Sequence, residues 1–311
     1  MNPASYTTAQ KIFVNELAKK IFAKNDFLKL SKDWSKYVQG NQVIWQQSGN
    51  IPQAVINNAT QAITAGRRND TPRQFSVDEY QTQATRLDWS EELLVNYDKR
   101  ADILEQHLMQ IAEDIAMRIL ANWCLGAKTV RTTGASRATS LAGATLTRKG
   151  VIYKDIVKAR KLLVDDEISL DAGKLNMLVP SALEQDIMNL TEFQSRDYSS
   201  QNADSSVISG KIGTIAGFNV FVRSSALVTS AAGVAQLRKV DDTFVPRTVA
   251  ATDNQGIVMW HSDYVVRAAP KNQKVSIIDQ HGGTEFSVTA LAGGASVYND
   301  NKGVVMLIEE A

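Results

Sequence analysis

The sequence predicts an α+β fold, and three observations point to it. A long helical repeat of apolar residues precedes residue 126, and amphipathic helices over residues 152–164 and 181–190 flank an apolar strand over 175–179. Beyond residue 210, apolar and polar residues mostly alternate, which is the period of a half-buried strand. Helices and strands segregated along a chain in this way are typical of α+β domains.

The composition indicates a globular chain without disulfides or a membrane segment. Of its 311 residues, 44% are hydrophobic and 22% are charged, which is enough to bury one or two ordinary cores. The formal net charge of +1 argues against a dedicated nucleic-acid binder. The single cysteine, Cys124, excludes an intrachain disulfide and is expected to be a small buried hydrophobe. No apolar run could span a bilayer and no signal core is present, so we expect a protein made and kept in a reducing cytoplasm.

Residues 1–40 are interpreted as a basic arm. Within residues 8–24, five apolar side chains recur at helical spacing: Ile12, Phe13, Leu17, Ile21 and Phe22. Residues 1–40 hold seven lysines against three carboxylates, a local balance of +4. Such a run usually forms a solvated face, and the alternative is contact with a polyanion through Lys19, Lys20 and Lys24.

Residues 41–87 are rich in Gln, Asn and Thr and are interrupted by Gly49, Pro52, Gly66 and Pro72. Only weak strand signals occur, at residues 43–45 and 75–77. A segment of this kind cannot easily bury a core of its own. It is expected to be a linker, or an extended loop that finds its partners on another molecule.

The strongest helical pattern follows, with Asp98 as the predicted N-cap and Gly126 as the stop after Leu125. Its apolar positions recur every three or four residues: Leu104, Leu108, Ile111, Ile115 and Ile119. This pattern predicts one long helix that acts as a spine. Residues 128–150 are small and polar and are expected to form a loop.

Residues 210–223 place three glycines around a short apolar strand: Gly210, Gly213 and Gly217. Glycines at such positions mark turns or close backbone approach, so an ordinary hairpin is the simplest interpretation. The rest of the chain is predicted to be mostly strands, over residues 234–240, 256–268, 273–280, 284–298 and 303–309.

No catalytic, cofactor-binding or metal-binding residues are predicted. The three histidines, His107, His261 and His281, are too scattered for a recognisable metal site. Ser136 lies in a polar loop without the second glycine of a nucleophile elbow. The glycines at 210–217 precede a strand, whereas a dinucleotide fingerprint opens a helix. A chain of this length without a site is expected to work by assembling, and a serine hydrolase that uses Ser136 with a histidine is the weaker alternative.

The order of these parts resembles the major capsid proteins of tailed bacteriophages, which share the Hong Kong 97 type (HK97-like) shell fold. Three local motifs carry the resemblance. Residues 210–223 are similar to the family's glycine-bounded strand, and residues 256–270 to its strand ending in His-x-Asp before an apolar turn and a proline. Residues 286–298 and 303–308 resemble its closing strand, glycine kink and terminal strand.

The resemblance implies a division of the chain into five parts. These are the N-terminal arm (1–40), the extended loop or E-loop (41–87), a peripheral (P) domain with the spine helix (88–130), the axial (A) domain (131–255) and the peripheral strands with the C-terminus (256–311). It implies pentamers and hexamers that form the icosahedral head around the double-stranded DNA of a tailed phage. The E-loop contacts to a neighbour are expected at Val43, Ile44, Trp45, Phe75 and Val77, with a local hairpin as the alternative. Gly210, Gly213 and Gly217 are expected to form a hinge where the axial domain returns to the peripheral sheet.

Departures from the family pattern lead to further expectations. Some members cross-link their shells through a lysine on the extended loop, but residues 41–98 contain no lysine, so no such cross-link is expected. The arm and loop fill the space before the spine helix, so assembly is expected to need a separate scaffolding protein, together with a portal protein. The arm is expected to touch packaged DNA weakly and nonspecifically, in a virion capsid made in the host bacterial cytoplasm. An encapsulin, a bacterial compartment shell of the same fold, is the nearest alternative.

Overall fold

A computed structural model of the chain describes residues 26–49, 54, 56–57, 69–88, 99–139, 141, 143–170, 173–190, 211–223, 227–230, 233, 235–236, 249–270, 274–280, 283–297 and 302–309. The predicted arm helix over 8–24 and the predicted cap Asp98 lie outside the described residues.

The described residues contain three α-helices, and each lies where the helical periodicity predicts one. They are α1 (Lys99–Trp123), α2 (Tyr153–Asp165) and α3 (Ser181–Met188). Helix α1 is followed by a turn in which Gly126 has φ +72°, a conformation that glycine adopts without strain. The spine helix is therefore confirmed.

Eighteen strands lie within the same described residues, together with two short 3-10 helices, Asp26–Lys29 and Ser35–Tyr37. The strands are β1 (Lys32–Asp33), β2 (Gln42–Gln47), β3 (Thr71–Ser76), β4 (Asp78–Gln81), β5 (Thr85–Asp88), β6 (Lys128–Arg131), β7 (Ser136–Ala138), β8 (Thr147–Lys149), β9 (Leu175–Pro180), β10 (Lys211–Ile215), β11 (Phe218–Arg223), β12 (Val228–Thr229), β13 (Ala235–Gln236), β14 (Asn254–His261), β15 (Val265–Ala268), β16 (Lys274–Gln280), β17 (Gly283–Ser296) and β18 (Val304–Ile308).

The first sheet is built around the long strand β17, which pairs with β16 on one side. On its other side it pairs in succession with β5, β4 and β15, and β1 continues the sheet parallel to β15. Helix α1 packs on β17 at Gly294, where a Cβ atom would come within 2.8 Å of Ile119 Cγ2 and 2.9 Å of the Val266 carbonyl oxygen. Glycine at this position allows the helix and the sheet to approach closely.

The second sheet has eight strands and separates two cores. Its strands run β10-β11-β9-β14-β12-β13, with β18 and then β6 added beside β14. Along β14, Val258 and Trp260 share a core with α1, whereas Ile257 and Met259 share the other core with α2 and α3. Because successive side chains of a strand point to opposite faces, α1 lies on one side of this sheet and α2 on the other.

Strands β10 and β11 form the hairpin that the glycines predict. The two-residue turn consists of Ala216 and Gly217, both at positive φ (+48° and +89°), as a type I′ turn requires. Gly213 lies in β10 next to a register shift, and Gly210 lies outside the described residues. Strand β11 then joins the second sheet by parallel pairing with β9. The hinge role of these glycines remains a prediction.

Two expectations about the strands are wrong. Residues 128–150 contain β6, β7 and β8 in place of a plain loop, because β6 finds its partner in the distant β18. The single strand expected over 256–268 is divided into β14 and β15 by a turn after His261. There the Asp263 amide donates to His261 Nδ1 at 3.2 Å and the Tyr264 amide to the His261 carbonyl at 3.0 Å.

The first described residues belong to the body of the subunit. Phe27 and Leu28 are buried in the main core, and the Phe27 ring lies edge-on to Trp123 and to Trp260, each at 6.3 Å. The Trp260 indole N–H donates to the Leu30 carbonyl at 3.0 Å. These contacts tie the chain to its own core from residue 27 onward.

Candidate assembly surfaces

The root of the predicted extended loop is an antiparallel hairpin of β2 and β3. Val43 lies opposite Phe75, and Trp45 lies opposite Arg73. The Trp45 indole N–H donates to the Val297 carbonyl at 3.1 Å, and its ring lies 5.9 Å from the Phe75 ring. An open groove of about 460 Å³ runs beside the hairpin. The hairpin is therefore anchored to the end of β17 in the same subunit.

The five predicted loop contacts do not share one environment. Val43 and Val77 are 1% and 4% exposed, since they pack with Ala268 in a small core of this subunit. The apolar side chains of these two residues are already covered within the subunit, as the local-hairpin alternative expects. Trp45 and Phe75 are half-buried, whereas Ile44 is 60% exposed on the opposite face of β2. Ile44 is thus the predicted contact with the most surface to offer a neighbour.

Part of the segment interpreted as an extended loop also belongs to the subunit body. Strands β4 and β5 pair with β17, and Tyr80 and Leu87 are buried in the main core. The sparse apolar residues of this segment were too few to predict a core of its own, and they are buried because β17 and α1 supply the other side.

A buried charged network lies at the end of β18. The Glu309 carboxylate is fully buried. It accepts one hydrogen bond from Arg137 Nη2 at 3.0 Å and another from the backbone N–H of Gln255 at 3.4 Å. The same guanidinium donates to Asp186 Oδ2 at 2.9 Å, which links β7, α3 and β18. Burial raises the pKa of Glu309, and Arg137 opposes that rise. The network therefore holds a carboxylate where water cannot solvate it.

Arg148 forms a second set of buried hydrogen bonds, which anchors the β7–β8 hairpin. Its side chain is fully buried, and it donates to the carbonyls of Thr147, Ala251 and Asp253 at 2.9–3.3 Å. The hairpin pairs with neither large sheet, so Arg137 and Arg148 anchor it in place of apolar side chains. These arginines were missed at the sequence level because a polar segment without apolar periodicity gives no sign that its charges are buried.

Among the described residues, the cysteine, serine and histidines considered for catalysis or metal binding lie in separate parts of the fold. Cys124 is buried, as predicted, and burial raises the pKa of its thiol. His107 is buried on α1, and burial lowers the pKa of its imidazole. Ser136 is exposed at the start of β7, His261 packs edge-on to Tyr264, and His281 lies outside the described residues.

The described residues contain no group of three or more His, Cys, Asp or Glu side chains that could hold a metal ion. Within the same ranges, no helix is long and apolar enough to cross a membrane.

A family model and several solved structures are similar to this chain. A family model described as "Phage capsid protein" matches residues 71–304, most of the chain. The capsid of the cyanophage P-SCSP1u is similar, with a TM-score of 0.61 and 14% identity over 89% of this chain and 86% of that chain. The capsid of Ralstonia phage GP4 has a TM-score of 0.58 and 12% identity over 91% and 87% of the two chains. A structure from Mycobacterium phage Che8 has a TM-score of 0.55 and 16% identity over 86% and 85%.

No curated protein matches the sequence. At such low identities the solved structures establish the fold, while the family model establishes the family. Neither the encapsulin nor the serine hydrolase alternative is favoured by these matches. The chain therefore belongs to the phage capsid protein family, has the HK97-like fold, and is the major capsid protein of a phage head.

Proposed function

We propose that this capsid protein assembles as pentamers and hexamers into an icosahedral shell around double-stranded DNA, and that its role is structural and not catalytic. The observation that carries the proposal is the β2–β3 hairpin, which is anchored at its root by Trp45 and presents Ile44 outward. An apolar side chain displayed on a strand suits contact with another copy, where burial offsets the entropy of ordering the loop. A contact between unlike surfaces of identical subunits generates a ring when the rotation between neighbours closes.

Ile44→Asp tests this proposal. The substitution is expected to abolish closed shells in electron micrographs while leaving the unfolding midpoint of the free subunit almost unchanged, because Ile44 is exposed there. Ile44→Val is the matched control and is expected to assemble. If Ile44→Asp forms normal shells, the hairpin face is not a required contact.

The shell is proposed to be held together without covalent cross-links through the extended loop. Residues 41–98 contain no lysine, so the loop lacks the amine that an isopeptide bond would need. Assembled particles boiled in detergent are expected to run as a single band at the subunit mass of 34.1 kDa. A ladder of covalent multimers would contradict this.

The second proposed partner is the packaged genome. Lys19, Lys20 and Lys24 lie outside the described residues, and their contact with DNA rests on the +4 balance of residues 1–40. Reversing these three charges is expected to lower DNA retention in filled heads, with the deficit largest at low salt and shrinking as salt is raised, because salt weakens the phosphate contacts of the wild type. Replacing the same lysines with arginine is the control and should retain DNA. Equal retention by the reversed variant would favour a solvated face.

Two protein partners complete the proposal: a separate scaffolding protein and a portal protein. Both partners are proposed because the chain belongs to the phage capsid protein family. Synthesis in the host bacterial cytoplasm is proposed on the single, buried Cys124, which is consistent with a reducing compartment.

A further inference from the structure

The outward faces of helices α1 and α2 carry opposite charge. Between Ala101 and Met117, α1 contains four carboxylates and neither lysine nor arginine. Asp102, Glu105 and Glu113 are exposed, and Met109, which lies between the last two, is 46% exposed. From the first to the last, the four residues follow one another at spacings of three, four and four. Such spacings place side chains on one face of a helix. This face is therefore an acidic stripe with one apolar side chain, and Glu113 at its end also interacts with the Arg223 guanidinium of the same subunit.

Helix α2 shows the complementary pattern. Lys154, Lys158 and Lys161 are exposed along one stripe, flanked by Val157 and Val164 at 41% and 47% exposure. Within the helix, Lys161 pairs with Asp165 at 2.7 Å, and Lys158 lies 3.6 Å from the buried Asp155. Three ammonium groups thus face outward against a single exposed carboxylate of α2, Asp165. At 1.5 Å per residue, the cationic stripe is about 10 Å long and the acidic stripe about 16 Å. The cationic stripe can therefore lie along the acidic stripe without extending beyond its ends.

The helices that carry the two stripes pack on opposite sides of the second sheet. Helix α1 reaches one face of the second sheet through Trp123, which packs against Trp260 at 5.8 Å. Helix α2 packs on the other face through Ile156, Ala159 and Leu163. Two complementary stripes on opposite sides cannot meet within one subunit, but they can meet between two.

We infer that the cationic stripe of α2 docks on the acidic stripe of α1 of a second copy. The contact joins unlike surfaces and is therefore head to tail, the type that generates rings of subunits. Each exposed ion pair contributes little by itself and is screened by salt, while the charge pattern selects partner and orientation. The inference deepens the proposed self-assembly and rests on it.

Charge reversal with reciprocal rescue tests the contact. The full chain is expressed with the other head genes of its phage, and the fraction that sediments as shells is measured. One variant carries Lys154→Glu, Lys158→Glu and Lys161→Glu, and another carries Asp102→Lys, Glu105→Lys and Glu113→Lys. Each triple variant is expected to lose at least about tenfold in shell yield, because it places like charges opposite each other. The variant with all six substitutions restores opposite charges, serves as the matched control and is expected to recover assembly.

The outcomes separate the contact from the wider proposal. Triple variants that assemble like the wild type, or a combined variant as defective as either triple, overturn the inference while the proposed function stands. A wild-type chain that forms no shells contradicts both. If a reversed chain loses its helical circular dichroism, the neutral set Lys154→Gln, Lys158→Gln and Lys161→Gln replaces it. That set is expected to lower the salt concentration at which shells dissociate, and an unchanged value overturns the inference.

Discussion

Replacing Trp123 with alanine is expected to lower the free energy of unfolding of the subunit by about 3–5 kcal/mol, the usual cost of emptying a large buried aromatic site. Trp123 is fully buried at the end of α1, where its ring packs against Phe27 and Trp260. Its indole N–H donates to the Val266 carbonyl at 2.9 Å, which ties the spine helix to the first sheet. The substitution would therefore remove contacts to the arm and to both sheets together.

Urea unfolding of the free subunit, followed by far-ultraviolet circular dichroism, would measure the loss. Trp123→Phe is expected to cost less, because it keeps an aromatic ring and loses mainly the indole hydrogen bond. Trp45→Ala provides the matched control, since Trp45 is half-buried and also donates to a carbonyl. A loss at Trp123 no larger than the loss at Trp45 would contradict its central place in the core.

Replacing Arg137 with leucine is expected to destabilise the subunit by about 3–5 kcal/mol at pH 7, because it leaves a buried carboxylate without its partner. Glu309 is fully buried, and Asp186 shares the same guanidinium, so both acids lose their main cation. Restoring neutrality with Glu309→Gln in the same chain is expected to recover part of the loss. The exposed pair Lys161–Asp165 is the control, and Lys161→Leu is expected to change stability by less than about 1 kcal/mol.

The defect at Arg137 is also expected to depend on pH. Burial raises the pKa of Glu309 and Arg137 opposes that rise, so removing Arg137 raises this pKa further. A carboxyl with a raised pKa in the folded state contributes most stability below its unfolded pKa and loses that contribution as pH rises. The stability difference between Arg137→Leu and the wild type should therefore shrink as pH falls from 7 to 5. A difference that is constant across this range would show that Glu309 does not titrate there.

The hydrogen bonds that anchor the β7–β8 and β2–β3 hairpins matter to a shell protein, because contacts between subunits depend on the orientation of such elements. Arg137 and Arg148 position a hairpin that no apolar core secures, and Trp45 secures the root of the loop hairpin. A subunit whose hairpins are held by directional hydrogen bonds presents its surfaces in one orientation. Such a fixed orientation is what repeated contacts between identical copies require.

The sequence by itself determined the helices, most strands and the architectural family. The apolar repeat from Leu104 to Ile119 predicted α1, and the glycines around residue 217 predicted the β10–β11 hairpin, because these features depend on local backbone geometry. The predicted order of arm, loop, spine and strand motifs identified the HK97-like fold, which the family model and the solved capsids confirmed.

Only the tertiary structure decided which residues are covered and which remain exposed. Val43 and Ile44 are neighbours of similar chemistry, yet one is buried against Val77 and Ala268 while the other faces outward. Strand β6 and the buried arginines depend on partners more than a hundred residues away, such as β18 and Asp253. Local periodicity carries no information about such distant pairings. The exposed hairpin face and the opposite charges of α1 and α2 can therefore be proposed as assembly surfaces only from the tertiary structure.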